Sequence, residues 1–321
     1  MQKRYRNQNE NALSRFPDPF CDRRGSAPRR PREPIPSANL SIPEHFDDNK
    51  IYYAWFGHSS VLVHMHGLNI LVDPIFSRHS SPVPFVGPKR FPGRVIQPSE
   101  LPEIDIVLIT HNHYDHLDKP TILALDPQVK SYIAPEGMGR NLTGFGVSRQ
   151  KITELNWHEQ RNCNGLRIVC TPAQHNSART LWDADKTLWC SYVLQDSAFT
   201  VYFSGDSGFS GHFQEIHDLY GDVDLAFMEC GQYGELWHWI HMFPEESAEA
   251  CRILHAKQSV PIHWGAYVLS LHPWDDPPKR FQKRSRELGL PCVIPVLNQL
   301  YETGSGPHAS AGQDAAADEK I

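Results

Sequence analysis

Between Thr110 and Asp118 the chain packs three histidines, His111, His113 and His116, and two carboxylates, Asp115 and Asp118, into nine residues. Imidazole and carboxylate are hard-to-borderline donors that suit zinc, manganese or iron(II). Four of them fall in the order H-x-H-x-D-H directly after Asp105-Ile106-Val107-Leu108-Ile109. That run reads as a buried strand that releases its polar residues onto a loop. A loop with surface histidines is the plain alternative. One His pair would be compatible with it, but four potential ligands on one strand end point to a metal site.

A centre with two ions needs more donors than this stretch supplies. Three other positions share its placement just past an expected strand: His175 in Thr171-Pro172-Ala173-Gln174-His175, Asp206 in Ser204-Gly205-Asp206-Ser207-Gly208, and His263 in Pro261-Ile262-His263-Trp264-Gly265. Taken singly, each has an ordinary reading as a hydrogen-bonded loop His or a turn Asp. Their common location at strand ends, beside small or turn residues, lets them reach one cavity.

The elements that would carry these residues follow from the apolar pattern. Strands are expected at Ile51–Phe56, Val61–Met65, Ile70–Val72, Asp105–Ile109, Lys130–Ile133, Leu166–Cys170, Leu188–Gln195, Phe199–Phe203, Val223–Phe227 and Val260–Ile262. Helices are expected at Pro120–Leu125, Gly211–Tyr220, Glu245–Ala256 with Pro244 at its first turn, and Asp276–Leu288. Residues 74–102 are proline-rich and read as a long ordered loop of the kind that is often functional. Two comparable halves, each mixing strands and helices, predict two packed sheets with helices outside, an α+β fold.

Composition sets the limits. The chain has 321 residues, a formal net charge of −6 and seven scattered cysteines with no C-x-x-C pair. The charge gives no reason to expect nucleic acid as a partner. The cysteines fit reduced thiols and a cytoplasmic location better than a disulfide framework. No apolar run approaches the roughly 20 residues needed to span a bilayer, and no secretory signal is evident. Residues 1–45 alternate arginine and proline and read as a flexible arm. Residues 46–302 then form the folded domain, and 303–321 a Gly/Ser/Ala-rich disordered tail. Oligomeric state is not set by any of this.

From about residue 50 to 300 the sequence resembles the metallo-β-lactamase superfamily, and within it the branch of the N-acyl-phosphatidylethanolamine-hydrolysing phospholipases D. The residues that carry this are Trp55-Phe56-Gly57-His58, Leu71-Val72-Asp73-Pro74-Ile75-Phe76, Gly87-Pro88-Lys89-Arg90-Phe91, His111–Asp118, Gln174-His175, Arg179-Thr180-Leu181, Gly205-Asp206 and Ile262-His263-Trp264-Gly265. The histidine motif is common to the superfamily; the Gly-Pro-Lys-Arg-Phe loop and the Asn-His-Tyr-Asp-His-Leu-Asp wording are narrower. The resemblance implies a four-layer αββα sandwich of two mixed sheets flanked by helices. It implies two zinc ions, manganese or iron(II) being the other ions such donors accept. One ion would take His111, His113 and His175, the other Asp115, His116 and His263, with Asp206 bridging. A water between the ions would ionise near neutral pH and attack a phosphodiester. Asp115 and Asp206 thereby belong to the catalytic set, joined by His241 as a phosphate binder or proton donor.

Around this set Asp73 and His58 are candidates to orient ligands, and Asp118 to orient a ligand or cap the next helix. Asp73 reads equally well as a plain strand-to-turn residue, and His58 and His241 as structural histidines. The loops 82–91 and 233–243 combine apolar, aromatic and cationic residues. They would suit a phospholipid substrate and a peripheral membrane contact. Phe85, Phe91 and Phe243 are expected in the core; Trp237 and Trp239 are left open. The stretch Gly234–His238 lacks the basic residue that the branch leads one to expect, and His158 stands where an aromatic would. Hydrolysis of a lactone or another small ester or phosphoester is therefore the alternative reading, with a non-catalytic zinc-dependent binding module as the alternative of another class.

Overall fold

Strict alternation of large apolar residues builds the centre of the molecule. The computed structural model describes residues 4–8 and 28–304. Its strands are β1 (Lys50–Trp55), β2 (Val61–Met65), β3 (Leu68–Val72), β4 (Ile104–Leu108), β5 (Val129–Pro135), β6 (Ile152–Leu155), β7 (Gln160–Cys163), β8 (Leu166–Thr171), β9 (Ser191–Gln195), β10 (Thr200–Phe203), β11 (Leu225–Glu229), β12 (Gln258–Ile262) and β13 (Leu300–Gly304). The helices are α1 (Lys119–Leu125), α2 (Gly139–Phe145), α3 (His212–Tyr220), α4 (Pro244–Ile253) and α5 (Asp276–Leu288).

One sheet runs in the order β13-β1-β2-β3-β4-β5-β6, the other β12-β11-β10-β9-β8-β7. Both are mixed. The first is antiparallel from β13 to β3 and parallel from β3 to β6. In β1, β3 and β4 one set of residues (Tyr53, Trp55, Ile70, Val72, Ile106 and Leu108) enters the core between the sheets. The alternate residues Ala54, Leu71 and Val107 pack outward with Ile122, Leu125 and Leu142 of α1 and α2. Phe213 of α3, Cys251 of α4 and Phe281 of α5 join the core from the second sheet's side. This is the α+β, four-layer arrangement expected. A residue-by-residue alternation can serve two cores only when both faces of the sheet are covered.

Strand direction places the site. β10, β11 and β12 are mutually parallel. β8 is antiparallel to β9, and β9 to β10, so β8 runs the same way as β10. The carboxyl ends of β8, β10, β11 and β12 therefore open on one edge, as those of the parallel pair β3 and β4 do in the other sheet.

Several elements differ from the sequence expectation. β9 begins at Ser191, because Leu188 N and Cys190 N bond across to Glu136 O (2.8 Å) and Thr110 O (3.0 Å) in the other half. α2, β6, β7 and β13 were not expected; β7 in particular is polar (Gln-Arg-Asn-Cys), with no apolar alternation to betray it. Of the stretch read as a flexible arm, residues 4–8 and 28–45 lie on the body; Tyr5 N donates to Asp185 O. Ile35 is buried, Ala38 N bonds Leu297 O at 2.8 Å, and the Arg30 guanidinium donates to Lys89 O and Arg90 O at 2.7 and 2.9 Å. Residues 1–3 and 9–27 lie outside the described residues, as does the tail from 305 on; Thr303 and Gly304 belong to β13. Among the described residues no helix is long and apolar enough to cross a membrane, and the six cysteines are free.

Candidate metal centre

The turn after β4 carries His111, His113, Asp115 and His116, and its shape is set from below by Asp73, which follows β3. Asp73 is buried and accepts from Thr110 N (2.8 Å), Thr110 Oγ1 (2.6 Å) and His116 Nδ1 (2.8 Å). Since Thr110 Oγ1 gives its hydrogen to Asp73, it is an acceptor for His111 Nδ1 at 3.1 Å. His175 Nδ1 donates to Ile240 O and His263 Nδ1 to Gly231 O, both at 3.1 Å. A carbonyl can only accept, so each of these imidazoles carries its proton on Nδ1 and turns an Nε2 lone pair inward.

The inward atoms converge. His113 Nδ1 lies 3.0 Å from His111 Nε2 and 3.1 Å from His175 Nε2. Donors that share one zinc at about 2.0–2.1 Å stand roughly 3 Å or more apart, so this trio fits one ion. Asp206 Oδ2 lies 3.1 Å from Nε2 of both His116 and His263, and 3.7 and 3.8 Å from Nε2 of His111 and His175. Asp115 Oδ2 stands 3.6 and 3.5 Å from Nε2 of His116 and His263. Among the described residues, buried His116 Nε2, His263 Nε2 and Asp206 Oδ1 have no hydrogen-bond partner. Close contacts without hydrogen-bond alignment, between buried donors of this chemistry, are what a cation coordinated from both sides requires.

Electrostatics divides the centre. Burial pushes the His111 and His175 imidazoles well below the usual range and His113 down to about 4, so this half is neutral and ready to ligate. Burial also opposes charge on His116 and His263. There it is outweighed by Asp206 and Asp115, with Asp73 adding to His116; His116 is raised to about 10 and His263 well above the usual range. The second half therefore attracts positive charge, a demand that a divalent ion meets.

His58 Nε2 bonds Asp115 Oδ2 at 2.8 Å, and burial lowers His58 to about 3. It orients the carboxylate. His58, Asp73 and His263 all have left-handed backbones, with φ of 55°, 40° and 68°. His and Asp tolerate this region better than most residues, and here it turns the chain sharply at three strand ends. Gly231 is needed for the same close fit: a Cβ there would lie 2.1 Å from His263 O. Asp118 accepts from Ser77 Oγ (2.6 Å) and from Thr121 Oγ1, so it ties the long loop to α1 and makes no cap to the helix backbone.

Glu229 was not found from the sequence. It is fully buried at the end of β11; Oε1 accepts from Met242 N at 3.0 Å, and Oε2 lies 3.5 Å from His241 Nδ1 and 3.6 Å from His263 Nδ1. The logic that found Asp206, a carboxylate closing a buried strand, applies to it equally once the strand is extended by two residues. His241 stacks on His263 (centroids 5.1 Å, 13°) and stands edge-on to His175 (5.1 Å, 66°).

The rim corrects one expectation. Phe91 is buried and Phe243 half-buried, but Phe85 is 88% exposed, because the loop 82–87 projects beyond the paired segment His79–Lys89. Arg90 is no ligand group: its guanidinium is buried and donates to backbone oxygens, including Phe56 O (3.4 Å), and to Tyr267 OH (3.3 Å). Leu181, Trp182 and Trp239 are also exposed, at 90%, 79% and 53%. Each exposed tip is rooted at the centre: Ser77 on Asp118, Arg179 on Asn112 O and Leu117 O (both 2.8 Å), and Trp239 O on the Gln174 side chain (2.8 Å). His158 bonds Tyr220 OH at 3.1 Å.

Comparison with known proteins is consistent with this geometry. Residues 68–264 match the family model described as Beta-lactamase superfamily domain. An uncharacterized protein of Mycobacterium tuberculosis, Rv0906, is 36% identical over 282 residues, 87% of this chain and 75% of that one. N-acyl-phosphatidylethanolamine-hydrolyzing phospholipase D 1 of Caenorhabditis elegans is 32% identical over 248 residues, 73% of this chain and 69% of that one. Among solved structures, the metallo hydrolase Igni18 of Ignicoccus hospitalis has the same fold, with a TM-score of 0.60 at 21% identity, covering 80% of this chain and all of that one.

Proposed function

The chain belongs to the metallo-β-lactamase superfamily, in the branch of the N-acyl-phosphatidylethanolamine-hydrolysing phospholipases D, and from that premise we propose that it is a dinuclear zinc phosphodiesterase acting on N-acyl-phosphatidylethanolamine-like lipids. That it is a metal-dependent hydrolase follows from its family. The observation that supports a two-ion centre is Asp206 Oδ2, set between the His116–His263 pair and the His111–His175 pair, while the lipid substrate rests on the phospholipase D relatives. His111, His113 and His175 would hold one ion, Asp115, His116 and His263 the other, and Asp206 both. Bound there, the ions would lower the pKa of a water and neutralise charge on the phosphoryl group.

The chain's own residues do the rest. Asp73 and the carbonyls of Ile240 and Gly231 keep the imidazole protons on Nδ1, so the donor set is preorganised. His241, with Nδ1 toward buried Glu229, would deliver a proton from Nε2 to the leaving oxygen. Water is consumed, and a phosphatidic acid and an N-acylethanolamine leave. Phe85, Leu181, Trp182 and Trp239 would meet acyl chains at a membrane surface. The free thiols suit a reducing compartment such as the cytoplasm.

One observation favours a second reading, a lactone or small ester. The segment 234–238 has no Lys or Arg, and its His238 is engaged with Glu246 at 2.8 Å. Vesicles of N-acylated phosphatidylethanolamine assayed beside a lactone panel, with and without chelator, separate the two. Chelator-sensitive acylethanolamine release faster than lactone opening is expected. The reverse order would transfer the assignment to the small-ester class, and no turnover with two zinc equivalents bound would remove it from both.

A further inference from the structure

Resting on the reading of His175 as a metal ligand, we propose that Asn7 is a positioning residue that fixes the His175 backbone and, through it, the three-imidazole half of the centre. The Asn7 carboxamide supplies both halves of a backbone pairing. Its Oδ1 accepts from His175 N at 3.0 Å, and its Nδ2 donates to His175 O at 2.9 Å. The same Oδ1 accepts from the Trp189 indole Nε1 at 3.1 Å, and that indole also donates to Ala173 O at 3.0 Å.

His175 lies beyond the end of β8 at Thr171, where sheet pairing no longer satisfies the backbone. It is nonetheless buried, and a buried peptide group needs a partner for its N–H and its C=O. One side-chain amide provides both. With the peptide held by Asn7 and Nδ1 held by Ile240 O, the imidazole is fixed at both ends, and Nε2 has one place to point. Tyr5 N donates to Asp185 O at 2.9 Å and Gln8 Nε2 to Glu215 Oε2 at 3.1 Å, so the contact belongs to a docked segment. Asparagine is the residue the geometry asks for. Aspartate keeps the acceptor but sets an anion against His175 O, and alanine loses donor and acceptor together.

The test uses the full-length, zinc-loaded protein and compares wild type, Asn7→Ala, Asn7→Asp and Gln8→Ala. Amide hydrogen exchange at His175 reads the clamp directly. Chelator-driven zinc release and the visible spectrum of the cobalt(II)-substituted protein read its effect on the centre. In Asn7→Ala the His175 amide should exchange about tenfold faster, and one of two zinc equivalents should leave about tenfold faster, the lower end for losing an outer contact to a ligating histidine. The cobalt spectrum should change, Asn7→Asp should fall between the two, and Gln8→Ala should match wild type. Unchanged exchange at His175 would refute the clamp, and faster exchange with zinc release and cobalt spectrum unaltered would refute its positioning of the centre. If Asn7→Ala does not fold, Asn7→Asp carries the same test. His175→Ala separates the two levels: full zinc content in that variant would overturn the ligand reading, whatever exchange in Asn7→Ala shows.

Discussion

The floor of the site and its rim are built on opposite terms. On the floor, His111, His116, His175 and His263 are buried, and each has its second nitrogen anchored by Thr110, Asp73, Ile240 or Gly231. At the rim, Phe85, Leu181 and Trp182 are large, apolar and exposed, on loops rooted in the same turn. The floor leaves little freedom, because a change in one buried polar group strands its partner. The rim can change its side chains at little cost to the fold. One floor can therefore serve many substrates, and what distinguishes this chain from its relatives is to be sought in its loops.

Substitutions can probe that division, beginning where the effect should be largest. His113→Ala should lower hydrolysis by at least about 10³-fold, more than one lost electrostatic contact accounts for, with bound zinc reduced on elemental analysis. Wild-type zinc and turnover would take His113 off the floor. His241→Ala should lower kcat by about 10²–10⁴-fold, the range for a lost general acid, with zinc retained. Zinc loss in that variant would make His241 a ligand instead. Glu229→Gln keeps the shape and removes the charge facing His241 and His263; a drop of about 10-fold in kcat is expected, and no change would show that the orphaned carboxylate oxygen is inert. Leu181→Ser with Trp182→Ser should raise KM for vesicle substrates by up to about 10-fold through lost apolar contact, leaving a soluble diester untouched. An equal effect on both substrates would erase the line between rim and floor.

How much of this the sequence discloses depends on the range of the signal. The His111–His116 cluster is contiguous and follows an apolar run, so it can be read directly. His175, Asp206 and His263 are single residues whose significance comes from strand ends meeting in space, and the strand-end rule recovers them only because their strands are apolar. Glu229 escapes because the apolar pattern ends its strand at Phe227, two residues short of the observed end. Asn7 carries no signal at all: its role comes from a backbone partner 168 residues away. Phe85 misleads in the other direction, since an aromatic residue among prolines reads as core and only the loop's path turns it outward. The polar strand β7 and the late strand β13 are specified by their neighbours, not by their own pattern.

The pairing of β13 with β1 has a consequence for how the protein is made. Residues 300–304 complete an edge of the sheet that begins at residue 50, and His263 N is held by His58 O at 2.9 Å. During synthesis, the strands that present His111–His116 emerge long before the segments that finish the sheet and supply His263, the last candidate donor. Closure of the candidate centre is thereby tied to the later segments: a polypeptide that stops before Gln258 can display the histidine cluster but lacks His263 and the strand that carries it.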